Sequence, residues 1–317
     1  METIATPWMW AGFFAFVIVA TAVDLKVLSA RGATRVSVKE ALGWSAVWVA
    51  LSLALAGLLW WYLAGAAGAE IAREKTLAFL TGYLIEKLLS VDNIFVFLML
   101  FTYFAVPPEL QRRTLVYGVL GAIALRIIMI LIGAWLIAQF HWIIYVFGLF
   151  LLVTGAKMLF FAGHTPDLEK NPALRWMRGH LAVTPGFEGE RFWVLRDGVR
   201  TFTPLFLVLV MIAITDIVFA VDSIPAIFAI TGDPFIVMTS NIFAVLGLRA
   251  LYFVLADMAD RFHLLSYGLA LVLMFIGVKM LLIDFFKIPV FLALGVVVTL
   301  IAASIAASLV RRPKPGG

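Results

Sequence analysis

The chain has 317 residues, of which 64% are hydrophobic and 14% are charged, and it contains no cysteine. A soluble protein carries ~25% charged residues, so this composition excludes a water-soluble domain. The absence of cysteine excludes disulfides, thiolate metal sites and cysteine catalysis. The net charge of +5 is unevenly placed along the sequence, and we attribute it to membrane topology and not to nucleic-acid binding.

Runs of about 20 apolar residues, long enough to span a bilayer as a helix, recur along the whole sequence. Nine such segments can be drawn, at 8–30, 41–63, 76–103, 113–138, 142–162, 204–231, 234–256, 264–286 and 288–310. They predict an all-α integral membrane protein with about nine transmembrane helices. The single transmembrane domain, 1–317, divides into an N-terminal two-helix segment (1–63), two three-helix units (76–162 and 204–286), a linker loop (163–203), and a last helix with a tail (288–317).

Lysine and arginine residues lie mostly on one side of these segments. Sixteen of the 24 fall on one side, three fall on the other, and five lie inside segments. The positive-inside rule makes the richer side cytoplasmic, which predicts an outside N-terminus and a cytoplasmic C-terminus. The polar, arginine-rich linker 163–203 then faces the cytoplasm, either as a simple positive-inside loop or as a site for anionic lipid or a partner.

Carboxylates interrupt two of the apolar segments. Glu86 and Asp92 lie six residues apart in segment 3, and Asp216 and Asp222 lie six residues apart in segment 6. A charged side chain at the bilayer centre costs at least ~2.5–3.5 kcal/mol, so it usually marks an ion path or a buried pair. Two such elements in matching sequence context indicate a duplicated site.

Internal similarity relates the two three-helix units. Aligning segment 3 with segment 6 places Glu86 on Asp216 and Asp92 on Asp222. The same alignment, carried through the following segments, pairs Asn93 with Ser223, Arg126 with Arg249, Gly155 with Gly277 and Lys157 with Lys279. Because three crossings are an odd number, the second unit enters the membrane from the opposite side. The sequence therefore predicts an inverted 3+3 repeat, with a substrate site at the repeat interface.

The matched polar residues supply hard oxygen ligands, which suit Mg²⁺, Ca²⁺ and Mn²⁺. The predicted metal ligands are Glu86, Asp92, Asn93, Asp216, Asp222 and Ser223. Buried salt bridges are the alternative, with charge-compensating or gating cations at Lys87, Arg126, Lys157, Arg249 and Lys279. The two interpretations are compatible, because the cations could neutralise the acids in a resting state and be displaced by metal. Lys157 and Lys279 lie near segment ends, where snorkelling explains them equally well.

Asp24 in segment 1 and Asn241 in segment 7 are further candidates for the site. A position at the cytoplasmic interface explains Asp24 equally well. Helix–helix hydrogen bonding explains Asn241 equally well.

The six-residue spacing constrains the geometry of any shared metal. Six residues on a regular helix leave two side chains about 120° and ~9 Å apart, too far to bind one ion on an unbroken helix. Pro225 removes a backbone donor and predicts a discontinuous or bulged helix at 222–225. Side-chain competition for backbone groups favours a second, less regular turn at 90–93.

The two acidic stretches resemble those of the TerC family, bacterial membrane proteins named for tellurium resistance that include manganese exporters. The resemblance covers roughly residues 8–310, with matching stretches at 23–25, 39–46, 86–96, 215–226, 248–249 and 277–280. It implies export of Mn²⁺ or a related divalent cation across the bacterial cytoplasmic membrane, metal homeostasis and metal supply to exported proteins. By position, it places the family's acidic stretches on Glu86, Asp92, Asn93, Asp216, Asp222 and Ser223.

The main hypothesis is a secondary transporter that exports Mn²⁺ by alternating access, with proton exchange through the same carboxylates. Its partners are the divalent cation, protons and the lipid bilayer. It needs no organic cofactor, and no nucleophile is paired with a base, so we do not expect an enzyme. Two alternatives remain: a tellurite or oxyanion carrier that uses the arginines and lysines as ligands, and a membrane scaffold that docks cytoplasmic stress proteins through 163–203.

Overall fold

Long helices make up most of the chain. The structure, a computed structural model, describes residues 3–31, 38–140, 142–160, 171–196, 198–256, 264–286 and 288–310. The helices are α1 (Pro7–Arg31), α2 (Val38–Ala66), α3 (Ala69–Tyr103), α4 (Pro108–Gln139), α5 (Ile143–Phe160), α6 (Pro172–His180), α7 (Pro204–Phe228), α8 (Pro234–Leu246), α9 (Leu248–Ala256), α10 (Leu265–Leu281) and α11 (Val290–Val310). Two strands, β1 (Trp193–Arg196) and β2 (Val199–Phe202), lie between α6 and α7.

Each predicted apolar segment coincides with one helix or, at 234–256, with the pair α8 and α9. Among the described residues, five helices are long and apolar enough to cross a membrane: α2, α4, α5, α7 and α11. The bent pair α8–α9 adds a sixth candidate crossing, and α1 and α10 contain shorter apolar stretches. The chain is therefore a predominantly helical, multi-pass membrane protein, while nine crossings remain a prediction.

The linker has secondary structure of its own in its described part, 171–203. Asn171 caps α6 by accepting hydrogen bonds from the backbone N–H groups of Ala173 (3.0 Å) and Leu174 (3.3 Å). Strands β1 and β2 form an antiparallel hairpin that pairs Trp193 with Phe202 at one end. The all-α prediction misses this hairpin, because two four-residue strands in a charged segment have no long apolar run to mark them. Residues 163–170 lie outside the described part.

Helix α7 is continuous through Pro225, so the prediction of a helix break at 222–225 is wrong. The helix ends three residues later at Phe228, and the N–H of Ala229 donates to the Pro225 carbonyl over 2.9 Å. Pro225 lies in the last turns of the helix, where its missing N–H removes a single hydrogen bond to the Val221 carbonyl. Helix α3 is likewise unbroken at 90–93.

The discontinuity lies one segment later, at Gly247. Helix α8 ends at Leu246 and α9 begins at Leu248, and the two axes meet at a bend of 43°. All residues of α8 from Phe235 onward are buried. Polar side chains on α8 are therefore shielded from lipid by the neighbouring helices α3, α4 and α7.

Helices α5 and α10 pack closely through small residues. A Cβ added at Gly277 would lie 2.7 Å from the Gly148 carbonyl oxygen, and one added at Gly155 would lie 2.8 Å from the Ala270 carbonyl oxygen. The alignment that superimposes Gly155 on Gly277 also superimposes Gly148 on Ala270. The repeat alignment thus converts each of these two contacts into the other, as expected for a contact across a two-fold axis.

Candidate functional site

A fully buried arginine joins the two acidic helices. Arg126 on α4 is 0% exposed. Its Nη2 donates to Asp216 Oδ1 of α7 over 3.0 Å, and its Nε donates to Asp216 Oδ2 over 3.4 Å. Its Nη1 forms an ion pair with Glu86 Oε1 of α3. One guanidinium therefore bridges the first carboxylates of the two matched stretches.

Two asparagines complete the shell around these charges. Asn241 on α8 accepts from Arg126 Nη1 over 3.1 Å and donates from Nδ2 to Glu86 Oε2 over 2.9 Å. Asn93 on α3 donates to Asp216 Oδ1 over 3.5 Å. All five side chains are buried, and we call Glu86, Asn93, Arg126, Asp216 and Asn241 the Arg126 cluster.

Lys87 supplies a second cation beside the cluster. Its Nζ donates to the Ala244 carbonyl over 3.1 Å, in the last turn of α8. A helix C-terminus carries partial negative charge that favours a cation. The two positive charges of Lys87 and Arg126 equal in number the two formal negative charges of Glu86 and Asp216.

Three buried oxygen atoms near this region have no hydrogen-bond partner among the described residues. They are Asn93 Oδ1, Asp222 Oδ1 and Ser223 Oγ. Buried polar atoms are normally satisfied, so each of them can accept a cation or a water molecule. The Thr154 hydroxyl of α5 lies beside the Asp222 carboxylate. All three oxygens belong to the predicted ligand set.

The described residues do not form a preassembled metal centre. No three of their histidine, aspartate or glutamate side chains converge on one point. The side chains of Asp92 and Asp24 lie outside the described part, so their predicted roles are untested. Glu86 and Asp216 meet at Arg126, whereas Asp222 is absent from the contacts of the Arg126 cluster.

The other predicted cations lie away from this cluster. Arg249 is buried and lines a small cavity with Glu40 and Arg112, between α2, α4 and α9. Lys157 is exposed on α5, and Lys279 is buried on α10. The two halves therefore differ at the site: Arg126 of the first half forms ion pairs with Glu86 and Asp216, and its counterpart Arg249 lines a separate cavity.

Sequence reasoning missed three residues of this region. Ser90 lies one turn after Glu86 and donates to its Oε1 over 3.5 Å, and the four-residue spacing is the pattern that could have revealed it. Gly247 follows an apolar run and precedes Leu248, a weak helix-stop signal. Thr154 has no distinguishing pattern in the sequence.

Gly247 provides space for the Lys87 ammonium group, which leads to a testable expectation. A Cβ at position 247 would lie 2.5 Å from Lys87 Nζ. We expect Gly247→Ala to displace the ammonium from the Ala244 carbonyl and to lower stability by ~1.5–3 kcal/mol, the range for a hydrogen bond to a charged group. Thermal unfolding in detergent measures the change.

Gly121→Ala on α4 is the matched control, because nothing lies within 4 Å of a Cβ placed there. Lys87→Met added to Gly247→Ala should recover part of the loss, since it removes the charged group that clashes. If the double variant is no more stable than Gly247→Ala, the clash with Trp48, whose Cβ would lie 3.1 Å away, is the cause instead.

Comparison with known proteins places the chain among bacterial membrane proteins. A family model described as "Integral membrane protein TerC family" matches residues 71–315. A Salmonella typhi protein named "Putative membrane-bound redox modulator Alx" is 57% identical over 297 residues, covering 94% of this chain and 92% of the relative. An Escherichia coli protein of the same name is 55% identical, with 94% and 92% covered.

More divergent relatives cover the chain almost completely. A Myxococcus xanthus protein described as an uncharacterized membrane protein is 48% identical over 314 residues, covering 98% of this chain and 96% of the relative. No solved structure matches the chain.

Proposed function

This chain belongs to the TerC family of integral membrane proteins, and we propose that it is a secondary transporter that exports a divalent metal cation. The substrate we favour is Mn²⁺, carried across the bacterial cytoplasmic membrane from the inside to the outside. The proposed ligands are Glu86, Asp92, Asn93, Asp216, Asp222 and Ser223. Mn²⁺ homeostasis and the supply of metal to exported proteins are the corresponding cellular roles.

The observation that carries this proposal is the position of Arg126 between two acids from different halves of the chain. A guanidinium that is removed from water needs both carboxylates to offset its desolvation. In turn, two buried carboxylates need a cation. A divalent ion could replace the guanidinium between the same oxygens, so we infer that Arg126 occupies the position of a cation site.

The unsatisfied oxygens supply the second part of the argument. Carboxylate, amide and hydroxyl oxygens are the ligand types that Mn²⁺ accepts, and such atoms at Asn93, Asp222 and Ser223 have no hydrogen-bond partner among the described residues. With no cysteine in the chain and no histidine in this region among the described residues, a soft metal is a poorer fit. We place Mn²⁺ ahead of the softer transition metals on this ground.

The helix packing supports an inverted repeat as the framework for alternating access. The reciprocal contacts of α5 and α10 fit a two-fold relation between the units α3–α5 and α7–α10. With α1, α3 and α10 added to the six candidate crossings, the chain would cross nine times, with its N-terminus outside. In a transporter that alternates between two states, the two halves adopt different conformations in each end state. The different positions of Arg126 and Arg249 fit such an end state.

We propose the following cycle. Mn²⁺ from the cytoplasm enters between α3 and α7 and displaces Arg126 from Glu86 and Asp216. Asp222 lies ~9 Å from Asp216 along the unbroken helix α7, so it would hold the ion at the next point of its path. After release outside, Arg126 returns to Glu86 and Asp216, and protons bound by Asp92 and Asp222 would couple the return to the proton gradient.

An oxyanion carrier fits the structure less well. Such a carrier needs arginine N–H groups that face the substrate, but Nε, Nη1 and Nη2 of Arg126 are already donating to carboxylate or amide oxygens.

The names of the Salmonella typhi and Escherichia coli relatives refer to redox modulation. This chain has no cysteine, so any redox effect would not use thiol chemistry of its own.

Metal flux in proteoliposomes tests the proposal. We expect the reconstituted protein to move Mn²⁺ across the bilayer, and an imposed pH gradient to alter the rate. Excess tellurite should leave Mn²⁺ flux unchanged, whereas an oxyanion carrier would move tellurite and be indifferent to Mn²⁺. If the chain is a scaffold, vesicles with and without it will leak Mn²⁺ equally, and deletions within 171–203 will remove its cellular effect.

A further inference from the structure

The β1–β2 hairpin presents an exposed face that the proposed transport site does not use. Side chains directly opposite each other in antiparallel strands share a face. The pairing of Trp193 with Phe202 and of Leu195 with Arg200 therefore places these four side chains together. Leu195 is 66% exposed and Trp193 is 49% exposed, and the Arg200 guanidinium lies 4.7 Å from the centre of the Trp193 ring. We call this surface the Trp193 face.

The hairpin is fixed to the ends of two candidate membrane spans. The Phe202 ring stacks on Phe206 in the first turn of α7, with centroids 4.4 Å apart. Near the start of α4, Arg113 forms an ion pair with Glu190, and its guanidinium lies 5.9 Å from the Phe192 ring. Because both anchoring helices are candidate membrane spans, the Trp193 face lies beside the start of two spans, where a bilayer surface is expected.

The charge of this region is positive. Within 171–203 the described arginines are Arg175, Arg178, Arg191, Arg196 and Arg200. The two acidic residues described there are both engaged: Glu188 pairs with Arg196, and Glu190 pairs with Arg113. Neither of them pairs with Arg200, which stacks on Trp193 instead. The surface therefore complements an anion and not a cation.

An aromatic ring, an aliphatic side chain and an arginine on one exposed face match the membrane interface in composition. Tryptophan rings favour the headgroup level of a bilayer, and long basic side chains keep an apolar stem in the boundary while the charge reaches phosphate. Basic residues beside a bilayer are attracted to anionic lipid. An exposed leucine beside these groups is stabilised only if it leaves water.

We propose that the Trp193 face is an interfacial anchor that binds the headgroups of anionic phospholipids in the surrounding bilayer. Arg200 pairs with lipid phosphate, while Trp193 and Leu195 insert at the apolar boundary. Binding would fix the N-terminal end of α7 relative to the membrane surface. This inference depends on the hairpin and its attachment to α4 and α7, and it holds whether or not the chain transports metal.

The absence of native cysteine allows a single-site fluorescence test on the full chain. Leu195→Cys, labelled with an environment-sensitive fluorophore, reports on the Trp193 face. Val199→Cys is the matched control, because Val199 is 59% exposed but pairs with Arg196 on the opposite face of the same hairpin. The labelled proteins are reconstituted in phosphatidylcholine alone or mixed with phosphatidylglycerol, each with brominated acyl chains as quencher.

We expect quenching at position 195 in vesicles that contain phosphatidylglycerol, weaker quenching without it, and little quenching at position 199. Arg200→Gln should lower the ratio of docked to undocked hairpin by about fivefold. Equal quenching at both positions overturns the proposal, and so does quenching at 195 that ignores lipid charge. A change in the fluorescence of the label at position 195 that appears only when a soluble protein extract is added indicates a protein partner. This result also overturns the proposal.

A second measurement avoids any label. Arg200→Gln and Arg196→Gln remove the same charge from opposite faces of the hairpin. The anionic lipid that stays bound during purification, measured by mass spectrometry, should fall for Arg200→Gln and stay near the wild-type amount for Arg196→Gln. Equal loss in the two variants would show a general charge effect and contradict a built surface.

Discussion

Replacing Asp222 by asparagine is expected to abolish Mn²⁺ transport while the protein still inserts and folds. Asp222 Oδ1 has no hydrogen-bond partner among the described residues, and the carboxylate is absent from the contacts of the Arg126 cluster. An amide of the same shape therefore costs the fold little, but it removes a negative charge that a divalent ion needs. Mutations of residues that only orient the metal ligands typically lower metal affinity ~10–100-fold. Loss of a ligand itself should lower the affinity at least as much.

Proteoliposome flux and thermal unfolding, measured on the same preparation, separate the two effects. Asp284→Asn is the control: Asp284 bonds to Tyr145 at an exposed position, so its loss should leave flux near the wild-type value. Asp92→Asn is expected to behave like Asp222→Asn, as the matched member of the first half. Normal flux in both Asp92→Asn and Asp222→Asn would remove these acids from the site.

Replacing Arg126 by methionine should destabilise the protein more than any other single change at the site. The variant leaves Glu86 and Asp216 buried without the guanidinium that bridges them. Breaking a buried ion pair by removing one partner costs ~3–5 kcal/mol. We expect a large fall in the thermal unfolding midpoint in detergent, and Arg126→Lys should recover only part of it, because an ammonium cannot form the same two-sided contact.

Added metal makes this prediction specific to the proposed mechanism. If Mn²⁺ takes the position between the two acids, it should raise the unfolding midpoint of Arg126→Met more than that of the wild type, in which Arg126 competes. The control is the variant that combines Arg126→Met with Glu86→Gln and Asp216→Asn, which has no carboxylate left to bind the ion at this point and should not respond. A Mn²⁺ response of equal size in all three proteins would contradict displacement of Arg126 by metal.

The positions of the helices were largely predictable from the sequence. Bilayer thickness fixes the length of an apolar helix, so nine hydrophobic runs located each long helix, with boundaries that differ from the observed ones by at most seven residues, at the start of α3. The short hairpin in 193–202 was not predictable in this way, because its strands have no bilayer to set their length. Pro225 was misleading because a proline in the last turns of a helix costs a single hydrogen bond, which the rest of the helix tolerates.

The pairing of side chains was less predictable than the choice of residues. The repeat alignment selected Glu86, Asp216 and Arg126, and the structure brings all three together. The same alignment treats Arg249 as the equal of Arg126, yet Arg249 lines a separate cavity with Glu40 and Arg112. A repeat alignment treats the two halves as equivalent. It therefore cannot show where one conformation departs from symmetry.

The sequence by itself determined that this is a multi-pass membrane protein with acidic residues in two matching helices, because hydropathy and the cost of intramembrane charge are properties of each residue. Only the tertiary structure decided which cation holds those acids, that Asn241 joins them from α8, and that the backbone breaks at Gly247 beside Lys87. These features depend on distances between helices that are far apart in the sequence. Ion pairing and steric exclusion act over a few ångströms, so they are set by packing and not by composition.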